Sequence, residues 1–205
     1  MIRLYRAEWS TNCERVCLAL AHKGLEAESV LIDYADRSPV EEVSGQGLVP
    51  VIDDDGRVVN DSRAILAYLE DEYPEPRLFP DDPAARAGVD LFGDWFERAY
   101  KAAPNAIEEA LERADPDSEL IARCGREMRE RLDLFERLLD GRDYLFVDFG
   151  AADCIAYPFL KYAAGRDPAD DELFHRLLDE HQPLGDSRPR LAAWIERVSN
   201  HPRAY

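Results

Sequence analysis

The sequence predicts a mixed α/β domain joined by a proline-rich linker to an all-helical one. Three observations predict it. The first 73 residues read as strand, helix, strand, hairpin and helix. Four prolines then fall between Pro74 and Pro83, and beyond Pro83 apolar residues recur with helical spacing.

The hairpin is the anchor of the first domain. Gly47-Leu48-Val49-Pro50-Val51-Ile52 and Arg57-Val58-Val59-Asn60 flank Asp55-Gly56, and an Asp-Gly pair between apolar runs is a strong short-range hairpin signal. Pro50 has no N–H to give to a ladder, so it should open an edge strand or sit in a cis turn beside it. Asp61-Ser62 precedes Ala64-Ile65-Leu66-Ala67-Tyr68-Leu69, which places Ser62 at a helix N-terminus, where free N–H groups attract anions. Upstream, Ile2–Tyr5 reads as a strand. Ser10-Thr11-Asn12 offers caps for a helix that ends at Lys23-Gly24, and Ser29–Asp33 reads as a second strand. A polar connection from Tyr34 to Gln46 follows. In the second half, helices are expected over 84–103, 105–114, 118–139, 151–164, 169–180 and 188–199. Only Tyr144–Val147 has strand-like character.

Composition narrows the function. An apolar fraction of 46% in 205 residues supports a substantial core and excludes general disorder. The net charge of −18 disfavours nucleic acid, whose phosphates need clustered Lys and Arg. No apolar run approaches the ~20 residues that span a bilayer, and the N-terminus lacks an apolar leader; a cytoplasmic protein is expected. Cys13, Cys17, Cys124 and Cys154 show no C-x-x-C or zinc-finger spacing, so no metal site is expected and reduced thiols are. Any anionic ligand must be held by local donors, such as helix N-termini.

These residues then match a family. Ser10-Thr11-Asn12-Cys13-Glu14-Arg15-Val16 resembles the S-x-x-x-x-R-V segment of the serine-type classes (phi, tau, theta, zeta) of the glutathione S-transferase superfamily. Gly47–Ile52 resembles its G-x-V-P-x-L with a cis proline. Asp61-Ser62-Arg63-Ala64-Ile65, with Tyr68-Leu69 and Tyr73-Pro74, resembles E-S-x-A-I-x-x-Y-L-x-x-x-Y-P. Phe149-Gly150-Ala151-Ala152-Asp153 resembles the F-S-x-A-D that caps a core helix of the second domain, with Asp153 bonding back to the exposed amide. Asp61 stands where the family usually has Glu. Leu48 stands where it commonly has Lys, Gln or Arg on a glutathione carboxylate, and Leu48 cannot fill that role.

The resemblance implies a thioredoxin-like domain over 1–76, ordered βαβαββα around a mixed four-stranded sheet, a linker over 77–83 and an all-helical domain over 84–205. It implies a cytoplasmic, homodimeric detoxification enzyme that conjugates glutathione to hydrophobic electrophiles. Ser10 would hold the thiolate. Val49 and Pro50 would present main chain to the cysteinyl part, with Ser62 on the γ-glutamyl carboxylate and Asp61 on the ammonium. Arg37 or Gln46 would serve the glycine carboxylate. Trp9, Thr11, Phe96 and Tyr100 would line the site of the hydrophobic co-substrate, and dimerisation would use the helix near Arg63 and Tyr68 against Leu91 and Trp95. Tyr5 is expected to pack within its strand. Two other readings remain open. Cys13, near a helix N-terminus, could serve a glutathione-dependent reductase, peroxidase or isomerase; or the chain is a non-catalytic binding relative.

Overall fold

The computed structural model describes residues 1–205, which divide into two compact units: Met1–Arg86 with His201–Tyr205, and Ala87–Asn200. The first unit runs β1 (Ile2–Arg6), α1 (Thr11–His22), β2 (Ala27–Leu31), α2 (Ser38–Ser44), β3 (Val51–Asp54), β4 (Arg57–Asn60) and α3 (Ser62–Glu72). The sheet order is β2-β1-β3-β4. β1 and β2 are parallel; β1–β3 and β3–β4 are antiparallel. The hairpin turns where the Asp-Gly pair predicts: Asp54 pairs with Arg57, and both Asp55 and Gly56 have positive φ, as a tight two-residue turn requires.

The Val49–Pro50 bond is cis. The strand it introduces is an interior one, between β1 and β4, and not the edge that proline suggested. Pro50 lies one residue ahead of β3, so its missing N–H removes no ladder bond. The sheet carries helices on both faces. Val40 and Val43 of α2 pack with Tyr5, Val30, Ile32, Val49 and Val51. Leu4 and Ile52, one residue out of phase, are buried on the opposite face. There α1 and α3 pack on each other, and α3 touches β3 and β4.

A buried cation ties these helices to the proline segment. Lys23 Nζ, at the end of α1, donates to Glu70 Oε2 at 3.0 Å and to the carbonyls of Tyr73 at 2.6 Å and Pro76 at 2.9 Å. All three ammonium donors are thereby used. Glu70 Oε2 also accepts from Leu78 N at 2.8 Å. The proline-rich segment expected as a linker is stitched to the first unit, which extends to Arg86. Residues 201–205 return to it as well. Arg203 Nη2 pairs with Glu14 at 2.9 Å, Ala204 N donates to Cys17 O at 3.1 Å, and Arg6 lies over the Tyr205 ring.

The second unit contains most of α4 (Pro83–Trp95), then α5 (Ala102–Leu111), α6 (Ser118–Leu138), α7 (Ala151–Leu160), α8 (Leu173–His181) and α9 (Pro189–Ser199). Two long helices expected from periodicity are interrupted. Phe96–Tyr100 forms one wide π-helical turn, closed by Lys101 N on Phe96 O at 3.1 Å. Pro104, in the first turn of α5, cannot donate to the Tyr100 carbonyl four residues back. Arg131 of α6 supplies that bond, from Nη1 at 3.0 Å, and also reaches the Ala99 carbonyl. At the end of α7 the chain tightens into a 3₁₀ turn over Lys161–Ala164. Residues 144–147 form no strand. No helix is long and apolar enough to cross a membrane.

Asp153 organises this unit from inside α7. Its carboxylate accepts from Gly150 N at 3.1 Å, closing the predicted cap, and also from Leu145 N at 3.0 Å and Trp194 Nε1 of α9 at 2.7 Å. Buried Asp170 similarly collects the Tyr162 hydroxyl and His175 Nδ1, with the two rings stacked at 4.7 Å. Asp153→Ala strands three donors, each costing roughly 1–3 kcal/mol. At a few degrees per kcal/mol for a chain of this size, the melting temperature should fall by roughly 10 °C or more, measured by thermal denaturation; a shift under about 3 °C contradicts this role.

Candidate active site

Two helix starts and one turn, all in the first unit, carry the expected site residues. Ser10 is the N-cap of α1: its backbone is extended and its Oγ accepts from Cys13 N at 3.3 Å. At the start of α3, Asp61 is the N-cap. Its Oδ1 accepts from Arg63 N at 2.9 Å and Ala64 N at 3.0 Å. Asp61 holds φ +70° with ψ 124°, a positive-φ backbone that non-glycine residues adopt uncommonly. Ser62 opens the helix proper and is buried. Its Oγ accepts from Arg15 Nη1 at 3.2 Å. Between the two helix starts in sequence lies Val49, half-buried, ahead of cis Pro50.

Both serines share one chemical property. A hydroxyl has one proton to give and two lone pairs to receive. Where a protein donor already occupies the oxygen, as Cys13 N does on Ser10 and Arg15 on Ser62, the hydroxyl proton remains to be donated. Each serine then offers a donor at a helix N-terminus, where the macrodipole also favours negative charge.

Cys13 does not have the properties of a nucleophile. It is buried in α1, and that burial pushes its thiol up to about 11, outweighing a hydrogen bond with Ser10. At neutral pH it is a neutral thiol. Cys17, one turn on, is pushed up further, to about 12, by the same cause. The signal that made Cys13 a candidate, its nearness to a helix N-terminus, is overridden by desolvation.

The loop before Val49 is braced from within. Gln46 Oε1 accepts from Leu48 N at 2.6 Å, while its Nε2 donates to Leu48 O at 2.9 Å. Its amide is thus spent on its own loop, in contrast to the ligand role expected for it. Arg37, half-buried, donates from Nη1 to Gly47 O at 2.9 Å and from Nε to Tyr34 O at 3.4 Å, neither of which uses its Nη2. Leu48 is 69% exposed.

The four residues expected to line a second subsite divide. Trp9 is half-buried and Thr11 is buried in the first turn of α1. Phe96 and Tyr100 are core residues of the second unit, in contrast to the expectation that they face a ligand. Their rings stack at 4.3 Å among Trp95, Phe135 and Phe159, and the Tyr100 hydroxyl is bound by buried Gln182. They stand at the two ends of the wide π turn between α4 and α5. Tyr5 packs in the first unit's core, as its place in a strand suggested. No group of three or more His, Cys, Asp or Glu side chains converges as a metal-binding set.

Residue reading missed two participants. Arg15 served only as part of a motif, although a cation in the apolar stripe of α1 between Cys13 and Val16 signals a buried partner. Asp54, at the end of β3, accepts from both Tyr68 and Tyr73 hydroxyls, at 2.9 and 2.6 Å, and so fastens α3 to the hairpin.

Comparison with known proteins identifies the family. Residues 4–77 match the family model for the glutathione S-transferase N-terminal domain and residues 97–202 that for its C-terminal domain. The chain is 28% identical over 200 residues to glutathione transferase omega-1 of Caenorhabditis elegans, covering 96% of this chain and 76% of that one. It is 33% identical over 178 residues to maleylacetoacetate isomerase of Pseudomonas aeruginosa, covering 80% and 82%. Among solved structures, a tau-class glutathione S-transferase from mango superposes with a TM-score of 0.79 at 18% identity, over 98% of this chain and 89% of that one. A glutathione S-transferase from Methylobacillus flagellatus, solved with glutathione bound, gives 0.78 at 23%, over 98% and 95%.

Proposed function

Because the chain belongs to the glutathione S-transferase family, we propose that it binds glutathione in its first unit and transfers the thiolate to hydrophobic electrophilic small molecules. The observation that carries this reading is the Ser10 hydroxyl, held at the start of α1 with its oxygen already accepting from Cys13 N. Free glutathione resembles cysteine, with a thiol pKa of about 8.5, and the thiolate is the attacking form. Lowering that value by about two units takes roughly 2.7 kcal/mol. A hydrogen bond to the charged sulfur supplies about 1.5–3 kcal/mol, and the helix N-terminus adds about 0.3–1. The two together are sufficient, and no general base is needed.

The rest of the tripeptide follows from the neighbouring groups. Val49 would pair its N–H and C=O with the cysteinyl residue in the manner of an added strand. The γ-glutamyl carboxylate would take the Ser62 hydroxyl and the α3 N-terminus, and the Asp61 carboxylate would meet the ammonium. Arg37, unlike Gln46, keeps donors for the glycine carboxylate. Trp9 is the residue best exposed to touch the electrophile. Reductase chemistry through Cys13 is disfavoured by that thiol's burial and raised pKa.

The reading includes a homodimer in which Arg63 of α3 and Leu91 of α4 meet a second copy. Leu91 is 72% exposed, an apolar side chain that an interface would cover. Tyr68, expected beside Arg63, instead spends its hydroxyl on Asp54 and its ring under Arg57. Sedimentation equilibrium should give twice the 23.3 kDa chain mass, and Leu91→Asp should shift it to the monomer; wild-type monomer at micromolar concentration contradicts the dimer.

Ser10→Ala should lower kcat with a chloronitrobenzene acceptor by roughly 10- to 100-fold, the worth of one hydrogen bond to a charged sulfur. Cys13→Ala should stay within about threefold of wild type, since a buried neutral thiol contributes nothing to thiolate attack. Steady-state kinetics with both variants separates the two residues. The reverse order of effects would assign the chemistry to Cys13.

A further inference from the structure

The geometry points to Arg15 as a positioning residue for the γ-glutamyl carboxylate, acting through Ser62; this rests on the glutathione reading above. Arg15 is 1% exposed, an uncommon place for a guanidinium in a protein of this acidity. It leaves the first helix and reaches 47 residues along the chain to the first residue of α3, where Nη1 donates to Ser62 Oγ at 3.2 Å. Arginine is always protonated and only donates. Ser62 Oγ is therefore fixed as an acceptor on its inner side, and its single proton is directed to whatever lies on the outer side.

Two effects converge on an anion there. The hydroxyl is pre-oriented as a donor, and a full positive charge stands behind it in a low-dielectric setting, adding to the partial charge of the helix N-terminus. The chain carries a net charge of −18, a field that repels a dicarboxylate ligand. Arg15 counters that field at the one point where the peptide's α-carboxylate is taken up. It does not itself touch the ligand, because Ser62 stands between them.

The test compares two ligands by calorimetry: glutathione, and 4-aminobutyryl-cysteinylglycine, the same peptide without the γ-glutamyl α-carboxylate. Wild type should prefer glutathione. Arg15→Met should weaken glutathione by about tenfold or more, the worth of one hydrogen bond to a charged group. It should change the analogue by less than about twofold, since the group it serves is missing there. In a Ser62→Ala background, Arg15→Met should add little, because its route to the ligand is gone. Arg15→Lys keeps the charge without the planar fork and should give a smaller loss, again confined to glutathione; it decides the matter if the Met variant does not fold. Equal losses for both ligands, or full additivity with Ser62→Ala, would show a merely structural Arg15 and overturn the assignment. Wild type binding both ligands equally would overturn it while leaving glutathione binding intact. Wild type binding neither would remove the glutathione reading itself.

Discussion

A serine oxygen that already receives a hydrogen bond from the protein has its proton left to give, and the candidate site depends on that constraint at two helix starts. Ser10 Oγ receives from Cys13 N within α1; Ser62 Oγ receives from Arg15 across to α3. Neither hydroxyl is a nucleophile or a base in this setting. Under the proposed function each gives its remaining proton to an anion, at a helix start where the macrodipole favours negative charge. One suits a thiolate and the other a carboxylate, the two anionic groups that γ-glutamyl-cysteinyl peptides present on one side.

The first unit is built to hold those starts in register. α1 carries two buried cations, Arg15 and Lys23, two turns apart, and both reach toward α3: one to its first residue, the other to Glu70 near its end. A buried ion pair is costly to desolvate and is weak evidence of stability by itself. What these contacts supply is geometry. They set α3 against α1 at both ends, and Asp54 fixes the far side of α3 to the hairpin through Tyr68 and Tyr73. The surface, with its excess of acid, contributes solubility; the few buried cations contribute position.

Much of this arrangement is legible in the chain. The Asp-Gly turn, the caps at Ser10 and Asp61, the glycine after Lys23 and the Gly150–Asp153 cap are local signals, and the structure matches them because local hydrogen bonding decides them. The family motifs add the cis Val49–Pro50 bond and the mixed four-stranded sheet. What periodicity does not reveal is tertiary. Pro104 marks a weak point in a long helix, but only Arg131 on another helix explains how the chain passes it, through a π turn. Phe96 and Tyr100, at the two ends of that turn, are buried in the core, although the resemblance implies a ligand-facing place for them. Gln46 looks free in sequence and is bonded to its own loop, and Cys13 looks activated and is desolvated. In each case burial or a distant partner decides the outcome, and neither is written in the neighbouring residues.

The most direct measurement is the thiol pKa of glutathione in its binary complex with the intact protein, followed by the ultraviolet absorbance of the thiolate across a pH titration. A bound thiol ionising about two units below the free value of about 8.5, with most of that shift lost in Ser10→Ala, is the result expected of a hydroxyl that donates to sulfur. A bound thiol that ionises at its free value, or one whose lowered pKa survives the loss of Ser10, contradicts it.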